Sequence, residues 1–299
     1  MSAHASDAEA QTHRTHFGAI LAVYLLGLTI GGLYVGMVSP VRTVVQLGFG
    51  VDDSTGIWMI NIYTLFYAAL IPIIGKLADR HGRKLVFTVC VAIFAAGSLI
   101  CGLSEHFGGF GILLAGRVVQ AAGAGGMIPV ANAEMGTSFP PEKRGMALGM
   151  AAGIVGVANV LGAACGSIVI GLVGTDNWAV MFYLAIPFCL LVIIGAIVFL
   201  PTSTLETESR MDLFGSIFFA LFVLVLLLGL KAIDFFDFGA TIVQPCAWVP
   251  LVCAVISAFI FRIVEKNAQD PVFHLEYFHN RAVVITMAVS FFIGCCIIS

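Results

Sequence analysis

Charged side chains are scarce in this sequence, where Asp, Glu, Lys and Arg make up only 10% of the 299 residues. A soluble domain carries roughly 25% charged residues. Hydrophobic residues reach 60%, and the mean hydropathy is +1.05. So few charges leave too little polar surface to solvate a globule in water. The composition therefore excludes an ordinary soluble domain and indicates that lipid is the solvent of most of the chain.

Sequence signatures of catalysis and of nucleic-acid binding are also absent. The chain has no phosphate-binding loop, no Ser-His-Asp set and no cluster of residues with metal-ligand spacing. It has no basic stripe with interleaved aromatic residues, which argues against nucleic acid as a partner. The 8 cysteines lie inside apolar segments, where cysteine behaves as a small hydrophobe. We therefore expect no enzyme, no cofactor and no metal.

Long apolar runs fill most of the chain. A helix needs about 20 predominantly apolar residues to cross the hydrocarbon core of a bilayer. Nine runs come close to this length or exceed it: Phe17–Ser39, Ile57–Leu77, Leu85–Leu103, Phe110–Asn132, Met146–Val173, Ala179–Leu200, Leu213–Leu230, about Ala240–Phe261, and Ala282–Ser299. The sequence therefore predicts an all-α polytopic membrane protein with the lipid bilayer as its surroundings.

Basic residues predict the orientation of the segments. With a cytoplasmic N-terminus, the inner loops hold eleven of the 14 Lys and Arg residues, and the outer loops hold only Arg42 and Lys231. Because cytoplasmic loops carry an excess of Lys and Arg, this bias favours that orientation. Residues 1–16 are polar and lack the organisation of a signal peptide. We expect a multi-pass protein of the cell (inner or plasma) membrane with residues 1–16 as a cytoplasmic tail.

A polar stretch divides the segments into two groups. Six segments fill residues 17–200, and they divide 3 + 3 in a way that fits an inverted repeat. Residues 201–212 form the predicted cytoplasmic linker, and Asp212 is a candidate N-cap for the following helix. That helix, Leu213–Leu230, is apolar apart from Ser216 and is predicted to face lipid. Residues 264–281 form a second cytoplasmic loop. The last segment ends without a polar flank, so we expect a chain truncated at its C-terminus.

The loop between the second and third segments carries the most specific pattern. It reads Gly75-Lys-Leu-Ala-Asp-Arg-His-Gly-Arg-Lys84, with four cations and one acid in ten residues. A positive-inside cluster with turn glycines would explain the cations but not Asp79. This stretch resembles motif A of the major facilitator superfamily, G-x-L-A-D-r-x-G-r-k. The matching residues assigned here to a gate are Gly75, Asp79, Arg80, Gly82, Arg83 and Lys84.

The resemblance implies a role for this loop in a conformational gate. Asp79 would lie near a helix N-terminus of an opposite bundle, where the helix dipole favours a carboxylate. Arg83 would pair with an acid at the inner end of the fourth segment, and Glu134 is at the matching place. In the family, such contacts stabilise the outward-facing state. Breaking them on inward opening would make the loop a two-state element.

A second match lies in the fourth segment, Leu113-Leu-Ala-Gly-Arg-Val-Val-Gln-Ala-Ala-Gly-Ala-Gly-Gly126. It resembles motif B of the same superfamily, with Arg117 and Gln120 in register. An arginine within a span costs about 2.5–3.5 kcal/mol on insertion scales, so it normally faces a wet cavity or a partner. The resemblance implies a role in proton or substrate coupling. The alternative is that Arg117 extends to the outer headgroups, since it is close to the start of its segment.

Glycines and polar residues within the spans supply further expectations. Gly149/Gly153 and Gly162/Gly166 form two pairs with small-xxx-small spacing, which is typical of close helix packing in lipid. Three further polar groups are candidates for the wall of a substrate cavity. Each can equally hydrogen-bond a neighbouring helix. The candidates are Asn61 and Tyr63 in the second segment and Asn159 in the fifth.

The fourteen-helix drug–proton antiporter group of this superfamily (QacA/EmrB-like) is the subgroup that the chain resembles best. The resemblance rests on Arg210-Met-Asp-Leu-Phe-Gly215 and on the stretch from Glu265 to Arg281. It implies that residues 213–263 are an inserted two-helix hairpin and that residues 282–299 begin a second bundle. One departure concerns the acid that the group usually carries in its first helix. The corresponding position here is Gly31.

These observations predict a secondary active transporter that works by alternating access. The resemblance implies efflux of drug-like or metabolite solutes coupled to protons, with a small molecule and protons as partners. Two alternatives stay open. In the first alternative, the chain is a truncated membrane protein that does not transport. In the second, it is a half-transporter that needs a second copy because the second bundle is missing.

Overall fold

The structure, a computed structural model, describes residues 2–201, 213–233, 238–267, 281, 283–286 and 289. Every regular element among them is helical. In chain order these helices are α1 (Ser2–Phe49), α2 (Asp53–Gly56), α3 (Trp58–His81), α4 (Arg83–Phe107), α5 (Phe110–Thr137), α6 (Pro141–Val173), α7 (Val180–Tyr183), α8 (Ala185–Phe199), α9 (Leu213–Lys231), α10 (Phe238–Ile242) and α11 (Pro245–Asn267). The predicted all-α fold is confirmed.

Seven helical stretches in the described part of the chain are long and apolar enough to cross a membrane. They coincide with the first six predicted segments and with the eighth. A shorter apolar stretch, Gly215–Lys231, coincides with the seventh. Helices suit this environment because all their backbone hydrogen bonds are made within the segment. The predicted linker beyond Pro201, the cap at Asp212 and most of the ninth segment lie outside the described residues.

The helices of the first five spans extend beyond the apolar runs that predicted them, whereas the sixth run, Ala179–Leu200, is divided between α7 and α8. Helix α1 begins at Ser2 and continues through Pro40 to Phe49, whereas the apolar run covers only Phe17–Ser39. Its first 15 residues belong to the polar tail of the sequence analysis. Hydropathy marks the part of a helix that lies in lipid, but the backbone bonds that make the helix are equally possible in water. The apolar runs therefore placed the helices correctly and underestimated their lengths.

Glycines bring α1 and α6 into contact. An ideal Cβ built on Gly166 lies 2.7 Å from the carbonyl oxygen of Met37, and one built on Gly162 overlaps the carbonyl of Leu33. On the other helix, a Cβ at Gly32 would lie 2.8 Å from the carbonyl oxygen of Val155. Any side chain at these positions would push the two backbones apart. The pair Gly162/Gly166 therefore lies in a helix interface.

The other predicted glycine pair does not. An ideal Cβ on Gly149 or Gly153 meets no heavy atom within 4 Å among the described residues. These two glycines therefore make no close helix contact among the described residues. Spacing of four residues places two glycines on one side of a helix, but it does not say which side faces a neighbour.

Helices α9 and α11 form a pair that also packs against α3. A Cβ on Gly229 of α9 would lie 2.8 Å from the side chain of Leu251 in α11. Ser216 is 1% exposed, while Ile217 beside it is 50% exposed. Helix α9 thus has one face against protein and another toward the bilayer. The expectation of a simply lipid-facing span is corrected in this respect.

Candidate functional site

Arg117 is the most deeply buried charged residue of the six-helix bundle that the structure describes, with 2% of its surface exposed. Its Nε donates to the carbonyl oxygen of Met59 at 3.1 Å, and one terminal nitrogen donates to Gln120 Oε1. The guanidinium carbon lies 4.1 Å from the ring centroid of Tyr63, which is a cation–π geometry. This burial does not fit an arginine that extends to the outer headgroups.

Gln120 connects Arg117 to the neighbouring helix α4. Its Nε2 donates to Ser98 Oγ at 2.7 Å, and Ser98 Oγ donates to the carbonyl of Phe94 at 2.9 Å. The contact is possible because Gly97 lies directly against the backbone of Gln120, so that no side chain separates the two helices. The predicted partners Arg117 and Gln120 are thus joined, and both are fixed by a hydrogen-bonded chain. Sequence reasoning did not identify Ser98.

Tyr63 of α3, which lies against the guanidinium, stacks with Tyr67 of the same helix. Their rings are stacked, with centroids 6.0 Å apart and an interplanar angle of 9°. The Tyr63 hydroxyl is buried and has no hydrogen-bond partner among the described residues. Tyr67 was not predicted as a site residue. Its position four residues after Tyr63, on the same helix face, was the signal that could have found it.

These side chains border a cavity of about 250 Å³ between α1, α3, α5 and α6. Its polar lining comes from Arg117, Tyr63, Tyr67, Thr64 and Asn159. Its remaining wall is apolar or glycine, and it includes Gly31. A larger hollow of about 540 Å³ lies at the C-terminal end of α1, beside Glu105 and Asp176, away from these groups.

Two of the predicted wall residues, Tyr63 and Asn159, line this cavity, but Asn61 does not. Asn61 Oδ1 instead accepts a hydrogen bond from Lys231 Nζ at the end of α9. Asn61 faces the α9/α11 pair because it precedes Tyr63 by two residues, about 200° around a helix. The alternative in which Asn61 bonds a neighbouring helix is therefore the one that the structure shows.

A second polar group lies at the turn between α3 and α4. Gly82 connects the two helices with φ of 90°, a backbone conformation that side-chain-bearing residues rarely adopt. The next residue, Arg83, lies 3.2 Å from Glu134 Oε2 through its Nη1, which also donates to Thr137 Oγ1. The Glu134 side chain is only 4% exposed. The predicted pair of Arg83 and Glu134 is thus present, although 51 positions separate the two residues.

The remaining residues of this loop differ in their surroundings. Asp79 is 65% exposed, and its carboxylate lies 3.7 Å from Arg83 Nη2. Arg80 is exposed, and a Cβ on Gly75 meets no heavy atom within 4 Å. Gly75 therefore does not mark a close backbone approach among the described helices. Only Gly82 of the two glycines has a conformational reason to be glycine.

Lys84 has a role that the sequence did not predict. Its Nζ donates to the carbonyl oxygens of Ile197 and Leu200, at 2.9 Å and 2.7 Å. These carbonyls belong to the C-terminal end of α8, where unpaired acceptors and the helix dipole favour a cation. Lys84 therefore ties α4 to the end of the sixth membrane-spanning stretch.

An all-helical, apolar bundle with a small cavity bordered by a buried guanidinium defines a polytopic membrane protein with a polar site between its helices. The family can be named from the sequence. A model of the Major Facilitator Superfamily matches residues 21–299, so the chain belongs to that superfamily.

Curated relatives support the same assignment. The chain is 28% identical over 290 residues to the uncharacterized MFS-type transporter YfiU of Bacillus subtilis, covering 96% of this chain and 55% of that protein. It is 27% identical over 274 residues to multidrug resistance protein 3 of the same organism, covering 90% of this chain and 51% of that protein. The chain thus spans about half the length of these relatives.

A solved structure agrees on the fold. A bacterial homolog of the human lysosomal transporter Spinster, in an inward-facing and occupied conformation, superposes with a TM-score of 0.55 at 19% identity. The match covers 81% of this chain and 72% of that one. The helical arrangement described above is therefore a major-facilitator fold.

Proposed function

We propose that this chain is the six-helix N-terminal half, with additional helices, of a secondary active transporter that moves small molecules by alternating access. The observation that carries the proposal is the burial of Arg117 beside a cavity inside the bundle. A charge buried among apolar helices is costly, so it marks a solute or ion pathway by default. The cavity would be completed by a second bundle, in the part of the relatives that this chain does not cover.

The turn between α3 and α4 would serve as the gate of this transporter. The pair of Arg83 and Glu134 joins α4 to the end of α5, and it leaves the Asp79 carboxylate exposed. An exposed carboxylate there is free to cap a helix of a second bundle in one conformation and to leave it in the other. This difference in contacts between two states is what a gate requires.

We place the transporter in the fourteen-helix drug–proton antiporter group, with α9 and α11 as the inserted hairpin. The relative named multidrug resistance protein 3 supports this choice, as does the packing of α9 and α11 as a pair beside α3. Efflux of drug-like or metabolite solutes coupled to protons follows from the group. Gly31, in the place of the acid in the first helix, means that protons would have to use another group.

A half-transporter built from two copies is the second candidate. It is favoured by the exposed apolar face of α6, where Val157, Val160 and Leu161 are 59%, 74% and 53% exposed. Such a face suits either a second bundle or a second copy of this chain. Flux from this chain alone, together with crosslinks between copies through a cysteine at position 160, would support the two-copy arrangement.

The test of transport uses purified protein in sealed vesicles. Three solutes that share a phenyl ring and carry a negative, neutral or positive head group would be offered: benzenesulfonate, benzenesulfonamide and phenyltrimethylammonium. We expect no flux from this chain alone. From a longer form expressed from its natural reading frame, we expect flux of at least one of them above that of empty vesicles, and a change in flux when a pH gradient is imposed. No flux of any solute from that longer form would contradict the proposal.

A further inference from the structure

The cavity beside Arg117 contains a cation without an anion. None of the described residues that line it is an aspartate or glutamate. The acceptors that Arg117 finds in the described part of the chain are neutral: a backbone carbonyl, the amide oxygen of Gln120 and the face of the Tyr63 ring. Neutral partners lower the cost of burying the guanidinium, but they leave its full positive charge in the cavity.

Arg83 shows that the same bundle can supply a counterion. Its guanidinium contacts Glu134, whose side chain is 4% exposed. The missing carboxylate at Arg117 is therefore a difference between two sites rather than a shortage of acids throughout the protein. Gly31 sharpens this contrast, because it lines the cavity and a Cβ there would meet no heavy atom within 4 Å. Space for an acid exists, and the sequence leaves it empty.

A second donor at the cavity also lacks a partner. Tyr63 lines the cavity, is 5% exposed, and its hydroxyl has no hydrogen-bond partner among the described residues. A buried hydroxyl without a partner loses the hydrogen bonds it would make to water. An acceptor group placed in the cavity would satisfy this hydroxyl and the positive charge together. The Arg117 guanidinium and the Tyr63 hydroxyl would thus both be satisfied by a ligand that accepts hydrogen bonds and carries a negative charge.

The rest of the wall defines the other end of that ligand. Val35, Val38 and Ile60 line the cavity together with other apolar residues, and the volume is about 250 Å³. Ligand pockets typically measure about 300–1,000 Å³, so one bundle alone would hold a small apolar group with its polar head at Arg117.

We propose that this cavity binds the anionic group, such as a carboxylate or sulfonate, of a solute with an apolar body. Arg117 supplies the countercharge, Tyr63 donates a hydrogen bond, and the valine and isoleucine side chains contact the body. The inference rests on the proposed transport function in taking this cavity as the solute site, and it assigns the chemical class of that solute.

Binding at equilibrium tests the proposal without requiring transport. The protein would be placed in lipid nanodiscs and titrated with benzenesulfonate, benzenesulfonamide and phenyltrimethylammonium, which share a ring and differ in charge. Since hydrogen bonds to charged groups are the stronger ones, benzenesulfonate is expected to bind about tenfold or more tightly than either of the others. Tyr63→Phe should weaken benzenesulfonate by about threefold to tenfold, since one hydrogen bond is lost.

A carboxylate placed in the open space tests the charge argument directly. Gly31→Asp would give Arg117 a counterion, and benzenesulfonate should then bind about tenfold or more weakly than to Gly31→Asn, which has nearly the same shape without the charge. Gly149→Asp is the matched control, because it puts the same side chain at another glycine with open space, away from the cavity. Benzenesulfonate should bind it as it binds the unmodified chain.

The outcomes separate this proposal from the broader one. Equal binding of the three solutes, or equal binding by Gly31→Asp and Gly31→Asn, would overturn the assignment of an anionic ligand. Flux of the neutral or cationic solute without flux of benzenesulfonate would also overturn it, while transport itself would stand. Selective binding of benzenesulfonate with no flux of any solute from the longer form would support the binding site and contradict the transport function.

Discussion

Two guanidinium groups of this bundle, those of Arg83 and Arg117, have opposite surroundings. Arg83 lies at the turn between α3 and α4 against the carboxylate of Glu134, with a second carboxylate, Asp79, within 4 Å. Arg117 lies inside the bundle beside a cavity and has neutral partners among the described residues. A guanidinium with its own carboxylates is already neutralised and can hold helices together. One without a carboxylate keeps its positive charge and can attract the anionic group of a solute.

Removing the cavity arginine should have the largest effect. In the longer form, Arg117→Ala is expected to reduce transport to the level of empty vesicles, because the cavity loses its only charge among the described lining residues. Flux of the same three solutes of different charge is the measurement, with size-exclusion chromatography to establish that the variant folds. Arg42→Ala is the control. It removes a guanidinium that does not line the cavity and lies 3.2 Å from Asp53, and it should retain most of the flux. Near-normal flux in Arg117→Ala would show that the cavity arginine is not required for transport.

Asp79→Asn should also abolish transport, but for a different reason. The carboxylate is 65% exposed, so its loss should change the melting temperature of the purified protein little. The expected defect lies in the conformational equilibrium, because the proposed helix cap in one state disappears. Flux and melting temperature, measured on the same preparation, check this. Asp52→Asn, an exposed aspartate at the opposite end of the bundle, serves as the control. Retained flux in Asp79→Asn would show that the exposed acid is not part of a gate.

The pair of Arg83 and Glu134 should show a smaller, stabilising effect. Arg83→Gln and Glu134→Gln should each lower the melting temperature, and the double variant should lower it by less than their sum, since contacting partners couple by about 0.5–3 kcal/mol. Thermal unfolding in detergent gives the four melting temperatures. Asp53→Asn is the comparison. Its exposed pair with Arg42 should contribute only about 0–1 kcal/mol. Additive effects at Arg83 and Glu134 would show that the two side chains do not stabilise each other.

The long-range contacts that the sequence predicted are those that motifs specify. Arg83 and Glu134 are far apart in the chain, yet resemblance to a family pattern paired them. Arg117 and Gln120 needed less, because three residues along a helix place side chains together. In both cases a sequence pattern predicted the pair. The structure added a further partner to each, Thr137 beside Arg83 and Ser98 beside Gln120.

Residues that depend on which face a helix presents could not be assigned from one sequence. Gly162 contacts α1 and Gly149 contacts nothing among the described residues, although both belong to pairs with the same spacing. Asn61 and Tyr63 lie two positions apart, and only Tyr63 reaches the cavity. Helix orientation comes from the packing of all helices at once, and apolar composition on every side of a span removes the amphipathic pattern that normally reveals it.

The hydrogen bonds of Lys84 have a consequence for the chain that leaves the bundle. Lys84 donates to the carbonyl of Leu200, where the chain leaves the bundle, and it directly follows Arg83 in the sequence. It therefore anchors the end of α8 beside the turn in which Arg83 pairs with Glu134. A displacement of the chain beyond residue 200 would therefore act directly on that turn. The connection between the bundle and the rest of the protein is thus mechanically joined to the element proposed to switch.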